Sequence, residues 1–315
     1  MEITYLHWIG FIAFIVIMLL LDLGVFHKKD TTPSIKSAIY WSIFWISLAL
    51  LFNLGIYLLI DKTKALEFFT AYVLEKSLSV DNLFVFILIF GYFNIESQYQ
   101  HRILFWGILG AIVMRAFFIF AGVALIENFS WIMYIFGGFL VYTGIHMLFE
   151  KKEKENFNPN NNLIIRAFKK IVPVTDENSE HKFFLRKGNV LHATPFFITL
   201  LFIEASDLVF AVDSIPAVLS VSKDIFIVFT SNIFAILGLR SLYFALNGIM
   251  DYFHYLKYAL AGILSFIGLK MCVNELSHEM GYSFYISNYV SLGVILSLLT
   301  ISIVLSILFK KKKEN

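Results

Sequence analysis

Two short runs of this 315-residue chain place five carboxylates inside strongly apolar sequence. The first is Glu75-Lys76-Ser77-Leu78-Ser79-Val80-Asp81-Asn82. The second is Glu204-Ala205-Ser206-Asp207-Leu208-Val209-Phe210-Ala211-Val212-Asp213-Ser214. An acidic residue at the centre of a membrane-spanning helix costs roughly 2.5–3.5 kcal/mol on insertion scales. Such residues are kept where they bind a cation, relay protons or neutralise a neighbouring base. Carboxylate, amide and hydroxyl oxygens suit hard divalent cations such as Mn2+, Mg2+ or Ca2+. No paired His or Cys stands nearby at metal spacing, which argues against zinc and copper. The expected metal-site residues are Glu75, Asp81, Asn82, Glu204, Asp207, Asp213 and Ser214.

The bases set the rival reading. Arg115, Arg240 and Lys76 could pair with the acids and leave a purely structural cluster. Five acids exceed three bases, so pairing alone does not neutralise the set unless some acids are protonated. A proton relay without metal is a further reading. Arg115 and Arg240 are expected to brace the site electrostatically or to line its inner vestibule. His146, an imidazole inside an apolar run, is expected to be structural or interfacial. The lone Cys272 excludes an internal disulfide and a thiolate cluster within one chain.

Spacing then constrains the elements. Glu75 and Asp81 are six residues apart, as are Asp207 and Asp213. Six residues turn an ideal helix by about 600°, so the members of each pair do not share a face. A kink or an unwound turn would let them converge, and Pro216 follows Asp213 closely enough to cause one. Glu204 and Asp207, three apart, do share a face.

The rest of the chain supplies the membrane. Hydrophobic residues make up 59% and charged residues only 15%, and mean hydropathy is +0.77. The class is an all-α integral membrane protein. Nine spans are expected, at about 6–26, 40–60, 66–90, 103–126, 131–149, 193–220, 225–246, 256–273 and 284–309. The first has no basic leader and no small-residue cleavage site after it, so it reads as a retained span. Two N-terminal spans occupy 1–65, and the last span with a basic tail occupies 274–315. Basic residues collect at His27 to Lys29, His101-Arg102, Lys151 to Lys154, Arg166 to Lys170 and Lys310 to Lys313. With nine spans these fall on one side, which places the N-terminus outside and the C-terminus in the cytoplasm. The loop at 151–192 is the one sizeable soluble segment. Its stretch from Leu163 to Val172 alternates apolar and basic residues and reads as a short helix on the inner leaflet or a solvated linker.

The two halves resemble each other. Val80-Asp81 matches Val212-Asp213, and Glu75 matches Asp207. Arg115 matches Arg240. Gly138 to Met147 (GFLVYTGIHM) matches Gly262 to Met271 (GILSFIGLKM), at an offset of 124 residues. Spans 3–5, residues 66–150, would thus repeat as spans 6–8, residues 193–273. Three spans per unit imply opposite orientations, the inverted 3+3 plan of secondary transporters, with the site near the midplane. Tyr72 occupies the place that corresponds to Glu204.

These residues resemble the TerC/Alx family of integral membrane proteins, named for tellurium resistance. The carriers are Glu75 to Asn82, Thr194-Pro195, the run from Glu204 to Pro216, the run from Thr230 to Arg240, and Pro173-Val174-Thr175. The resemblance covers roughly residues 5–305 and shows no departure at the acidic positions of the run around Asp213. It implies a bacterial inner-membrane protein of the wider lysine-exporter-like superfamily, with Mn2+ efflux as its activity and Glu75, Asp81, Asp207 and Asp213 as metal-site acids. Tellurite chemistry has no support here, because a soft oxyanion would want cationic or thiol partners. The expectation is a carrier that exports Mn2+ by alternating access, with protons as counter-ion. It would hold no permanent cofactor, and its partners would be the lipid bilayer and the ion. Two other classes compete. One is a membrane scaffold or metal sensor that docks a protein partner at loop 151–192. The other is an exporter of a cationic amino acid. No nucleophile–base set or phosphate loop suggests an enzyme, and nothing points to a nucleic-acid partner.

Overall fold

The computed structural model describes residues 5–24, 34–93, 95–129, 131–149, 173, 182–187, 190–246, 255–282 and 284–309. Its helices are α1 (Tyr5–Gly24), α2 (Ile35–Leu59), α3 (Lys62–Tyr92), α4 (Ser97–Asn128), α5 (Ile132–Phe149), α6 (Pro195–Leu219), α7 (Ile225–Leu237), α8 (Leu239–Leu246), α9 (Leu256–Glu279) and α10 (Asn288–Leu308). Among the described residues, seven helical segments are long and apolar enough to cross a membrane, with α7 and α8 together counted as one. The remaining two expected spans correspond to α1 and to the charged α3. Helices dominate because hydrocarbon offers backbone groups no partner, and a helix satisfies its own.

Short polar residues fix where the helices start. Asp61 accepts from the backbone amides of Thr63 and Lys64 at the head of α3, at 2.7 and 3.2 Å. These amides hold its carboxyl below the ordinary value. Thr194 caps α6, with Pro195 at the first helical position. Asp224 caps α7 in the same way. Before α6 stands a β-hairpin, β1 (Phe184–Lys187) against β2 (Val190–Ala193), antiparallel with Phe184 opposite Ala193. The sequence reading placed no strand there and began the span at 193. The surface helix expected at 163–172 lies outside the described residues.

A second expectation is corrected. α3 runs without interruption through Glu75 to Asn82, and α6 runs through Asp213 and Pro216. The helix break falls instead at Gly238, between α7 and α8. A Cβ there would lie 2.8 Å from Lys76 Nζ and 3.1 Å from Trp45 Cβ, so the glycine lets α3 and α2 sit close without the lysine having to shift. Pro216 sits in the last turn of α6, where the lost hydrogen bond is one near the helix end and the rod survives it.

Packing is pairwise. α5 lies along α9 most intimately, α4 along α6, and α3 along α7. Small residues bring α5 and α9 together: a Cβ on Gly137 would lie 2.8 Å from the Gly268 carbonyl, and one on Gly144 2.6 Å from that of Ala261. One core cluster joins α3, α4, α5, α6, α9 and α10 through Leu74, Ile119, Leu140, Val218, Ile267 and Ile295. Another, rich in Phe, joins α1, α2, α3 and α7 through Phe11, Phe52, Phe68 and Phe234. The end of the bundle where α3 begins carries polar ties. Lys270 Nζ donates to Asn288 at 2.7 Å, Asn288 donates to the Val221 carbonyl at 2.9 Å, and Ser222 donates to Glu67 at 2.6 Å.

Candidate functional site

Arg115, in the middle of α4, is 1% exposed and forms the hub of the site. It is held in an apolar helix only because acceptors surround it on three others. Its Nε and Nη2 grip both oxygens of Asp207 on α6, at 3.3 and 3.1 Å. Its Nη1 donates to Glu75 on α3, to Asn232 on α7 at 2.9 Å and to Ser214 on α6 at 3.4 Å. Asn232 in turn donates to the other oxygen of Glu75 at 3.3 Å. A forked, planar guanidinium suits this task, since it offers donors in fixed directions to two carboxylates at once. Glu75 and Asp207 therefore converge through Arg115 from two separate helices, with no unwound turn.

Beside this cluster lies a cavity of about 170 Å³, lined by Glu75, Asn82, Thr143, His146, Met147, Asp213, Ser214 and four apolar neighbours. It occupies the half of the bundle where α5 ends and α9 begins. The opposite half is packed solid by Ala71, Leu74, Ala217, Val218 and Ile267. Asp213 is only partly buried, and Thr143 Oγ1 donates to it at 3.3 Å. Six residues, about 1.7 turns of α6, thus separate a clamped Asp207 from a loosely held Asp213. Glu75 belongs to both places: it pairs with Arg115 and borders the cavity.

The other expected residues are placed as follows. Asn82 and Ser214 are buried, at 3% and 2% exposure, on the cavity wall. Glu204 stands apart, packed against Gly110 of α4 so closely that a Cβ there would overlap its carboxylate. The Asp81 side chain lies outside the described residues. Arg240, also buried, opens α8 and shares a narrow cleft with Asp207, Gly107 and Ile203. Lys76 turns away from the acids and donates to the Ala235 carbonyl at 3.0 Å. Among the described residues no three His, Cys, Asp or Glu side chains come together as a ready-made metal cage. The oxygens of the cavity are instead a mixed set of carboxylate, amide and hydroxyl.

Sequence reasoning missed Asn232 and Thr143 as parts of this arrangement. Asn232 had a signal, an amide in the middle of an apolar helix. Thr143 had none, because a threonine bonded to its own helix looks the same in sequence. His146 reaches the cavity wall while its ring stacks on Tyr142 at 5.8 Å.

An all-helical bundle with a polar cavity and a buried arginine–carboxylate cluster at mid-span defines a multi-pass integral membrane protein. The chain belongs to the TerC family: residues 60–314 match the family model described as integral membrane protein TerC family. It is 46% identical over 301 residues to a protein of Myxococcus xanthus described as an uncharacterized membrane protein, covering 96% of this chain and 92% of that one. It is 43% identical to a Salmonella typhi protein and 41% identical to an Escherichia coli K12 protein, each over 96% of this chain and 94% of the relative. Both of these carry the name "Putative membrane-bound redox modulator Alx". No solved structure matches.

Proposed function

We propose that this TerC-family protein exports a divalent metal cation, Mn2+ in the first instance, across the bacterial inner membrane by alternating access. The observation that carries the reading is the cavity where Asp213, Glu75, Asn82, Thr143 and Ser214 present oxygen to one space. Hard oxygen donors of mixed charge suit Mn2+. With the C-terminus cytoplasmic, the end of α5 and the start of α9 face the cytoplasm. The cavity then opens inward, and the packed, hydrogen-bonded end around Lys270 and Asn288 faces outward.

Reciprocal packing supports an inverted repeat. At the offset of 124 residues Gly137 corresponds to Ala261, and Gly144 to Gly268. The contact of Gly137 with Gly268 is then the image of the contact of Gly144 with Ala261. The pairing of α3 with α7 is likewise the image of the pairing of α6 with α4. Two half-units that meet this way can exchange roles by rocking, which closes the inner cavity and opens an outer one. A thiol–disulfide form of the redox role that the relatives' name suggests for them would need a partner thiol, since Cys272 is the one cysteine in the sequence.

The test is Mn2+ flux into proteoliposomes of the purified chain, with Asp213→Asn in parallel. Flux by the wild type and none by a well-folded variant is the expected result. No flux by either, with proton and metal gradients of both signs imposed, would favour the scaffold reading and its docking loop at 151–192.

A further inference from the structure

Arg115 and an incoming metal ion cannot share Glu75 as they stand. The same carboxylate faces the guanidinium on one side and the cavity on the other. Bringing a divalent ion to that carboxylate sets two positive charges against each other in a medium of low dielectric. The arginine has somewhere to retreat. Its Nε and Nη2 are already bonded to Asp207, and Asn232 and Ser214 offer Nη1 further acceptors.

We propose that Arg115 is a tethered counter-cation, which occupies the carboxylates of the empty carrier and yields Glu75 to the metal ion when cargo binds. The proposal rests on the transport reading above and names how the cycle closes. A carrier that releases its ion must return across the membrane with its site empty. Two bare carboxylates at mid-span would oppose that step, because each uncompensated charge there is costly. With Arg115 back on Glu75 and Asp207, the pair carries one net negative charge instead of two, and each carboxylate keeps hydrogen bonds from buried donors. The empty site, Asp213 included, then returns with one negative charge fewer than the bare carboxylates would carry.

Metal moved by such a carrier divides into net flux, which needs the empty return, and exchange of labelled for unlabelled Mn2+, which does not. The experiment measures both in proteoliposomes of the full chain at neutral pH, without a proton gradient. For Arg115→Gln, net flux falls roughly 100-fold, the factor that an uncompensated intramembrane carboxylate implies, while exchange continues. Arg115→Lys keeps the positive charge and retains net flux. The double variant Arg115→Gln with Asp207→Asn removes one charge of each sign and recovers net flux relative to Arg115→Gln. It also carries the test if Arg115→Gln alone fails to fold. Loss of net flux and exchange together, in Arg115→Gln and in the double variant alike, with both proteins folded, would make Arg115 a structural brace only. Undiminished net flux in Arg115→Gln would overturn the proposal outright. Absence of both fluxes in the wild type would strike the transport reading itself and is distinguishable from either result.

Discussion

Asp207 and Asp213 sit on one helix in the same span and live in different worlds. Asp207 is 4% exposed and held at both oxygens by Arg115. Asp213 is partly open to a cavity and receives a 3.3 Å bond from a threonine. The six-residue spacing explains the difference: the two side chains leave α6 in different directions, one toward α4 and one toward α5. A clamped carboxylate with a full complement of donors organises structure. A carboxylate with spare lone pairs facing a polar space is available to a ligand. The lesson is that the acids in the two motifs are not five equivalent ligands. Among the described side chains, helix face puts Asp207 in a structural group and Asp213 in a binding group, with Glu75 in both and Glu204 apart.

The sharpest way to break this comparison is to remove the clamp. Arg115→Ala leaves Glu75 and Asp207 buried without their cation, and breaking one side of a buried pair costs about 3–5 kcal/mol. Thermal unfolding in detergent should show a large loss. A variant as stable as the wild type would mean that the clamped half is not structural at all. Asp213→Asn should do the reverse. Its stability stays close to the wild type, since it gives up a weak bond and keeps its shape, while Mn2+ flux falls roughly 100-fold if a charged ligand is lost from a low-dielectric site. A stability loss in Asp213→Asn that equals the one in Arg115→Ala would erase the distinction between the two aspartates.

Much of this was legible in the sequence, and the failures have physical causes. Nine runs were read as spans, and seven of them are long apolar helical segments among the described residues, readable because hydrocarbon demands long, self-satisfied helices. Arg115 was expected to brace the site or line its inner vestibule, and the structure places it between Glu75 and Asp207. What the sequence could not show was how the acids meet. The reading looked for convergence along one helix and required a kink. The structure achieves it between helices, through an arginine long enough to reach α3, α6 and α7 together. Nor could it locate the break at Gly238, which lies against Lys76 and Trp45 of helices distant in sequence. The hairpin at Phe184–Ala193 was missed because its alternation is short and lies beside a charged loop.

The cavity wall depends on how closely α5 lies against α9, which offers a test that touches neither aspartate. Gly144 precedes the wall residue His146 and follows Thr143, and a methyl group there meets the Ala261 carbonyl at 2.6 Å and the Ser265 amide at 2.9 Å. Gly144→Ala should therefore cost about 1–3 kcal/mol by overpacking and should disturb Mn2+ flux more than its stability loss alone would. Gly138→Ala on the same helix is the control, since its Cβ enters open space. Similar melting temperatures for the two variants would show that α5 is free to shift, and that Thr143 does not fix where Asp213 points.

Thr143→Val gives the smallest and most selective change. Valine keeps the shape and removes the hydroxyl that bonds Asp213. A hydroxyl–carboxylate bond stretched to 3.3 Å and partly open to the cavity contributes little to folding, so stability should change by less than about 1 kcal/mol. Its effect belongs to binding. If the hydroxyl is a ligand or holds the carboxylate on the cavity axis, half-saturating Mn2+ rises several-fold, about what a lost 1 kcal/mol implies, with maximal flux retained. If instead the hydroxyl competes with the ion for Asp213, the same variant binds Mn2+ more tightly. Either sign keeps Asp213 in the binding group. An unchanged concentration dependence would place Thr143 outside the site and leave Asp213 to act through Glu75, Asn82 and Ser214 alone.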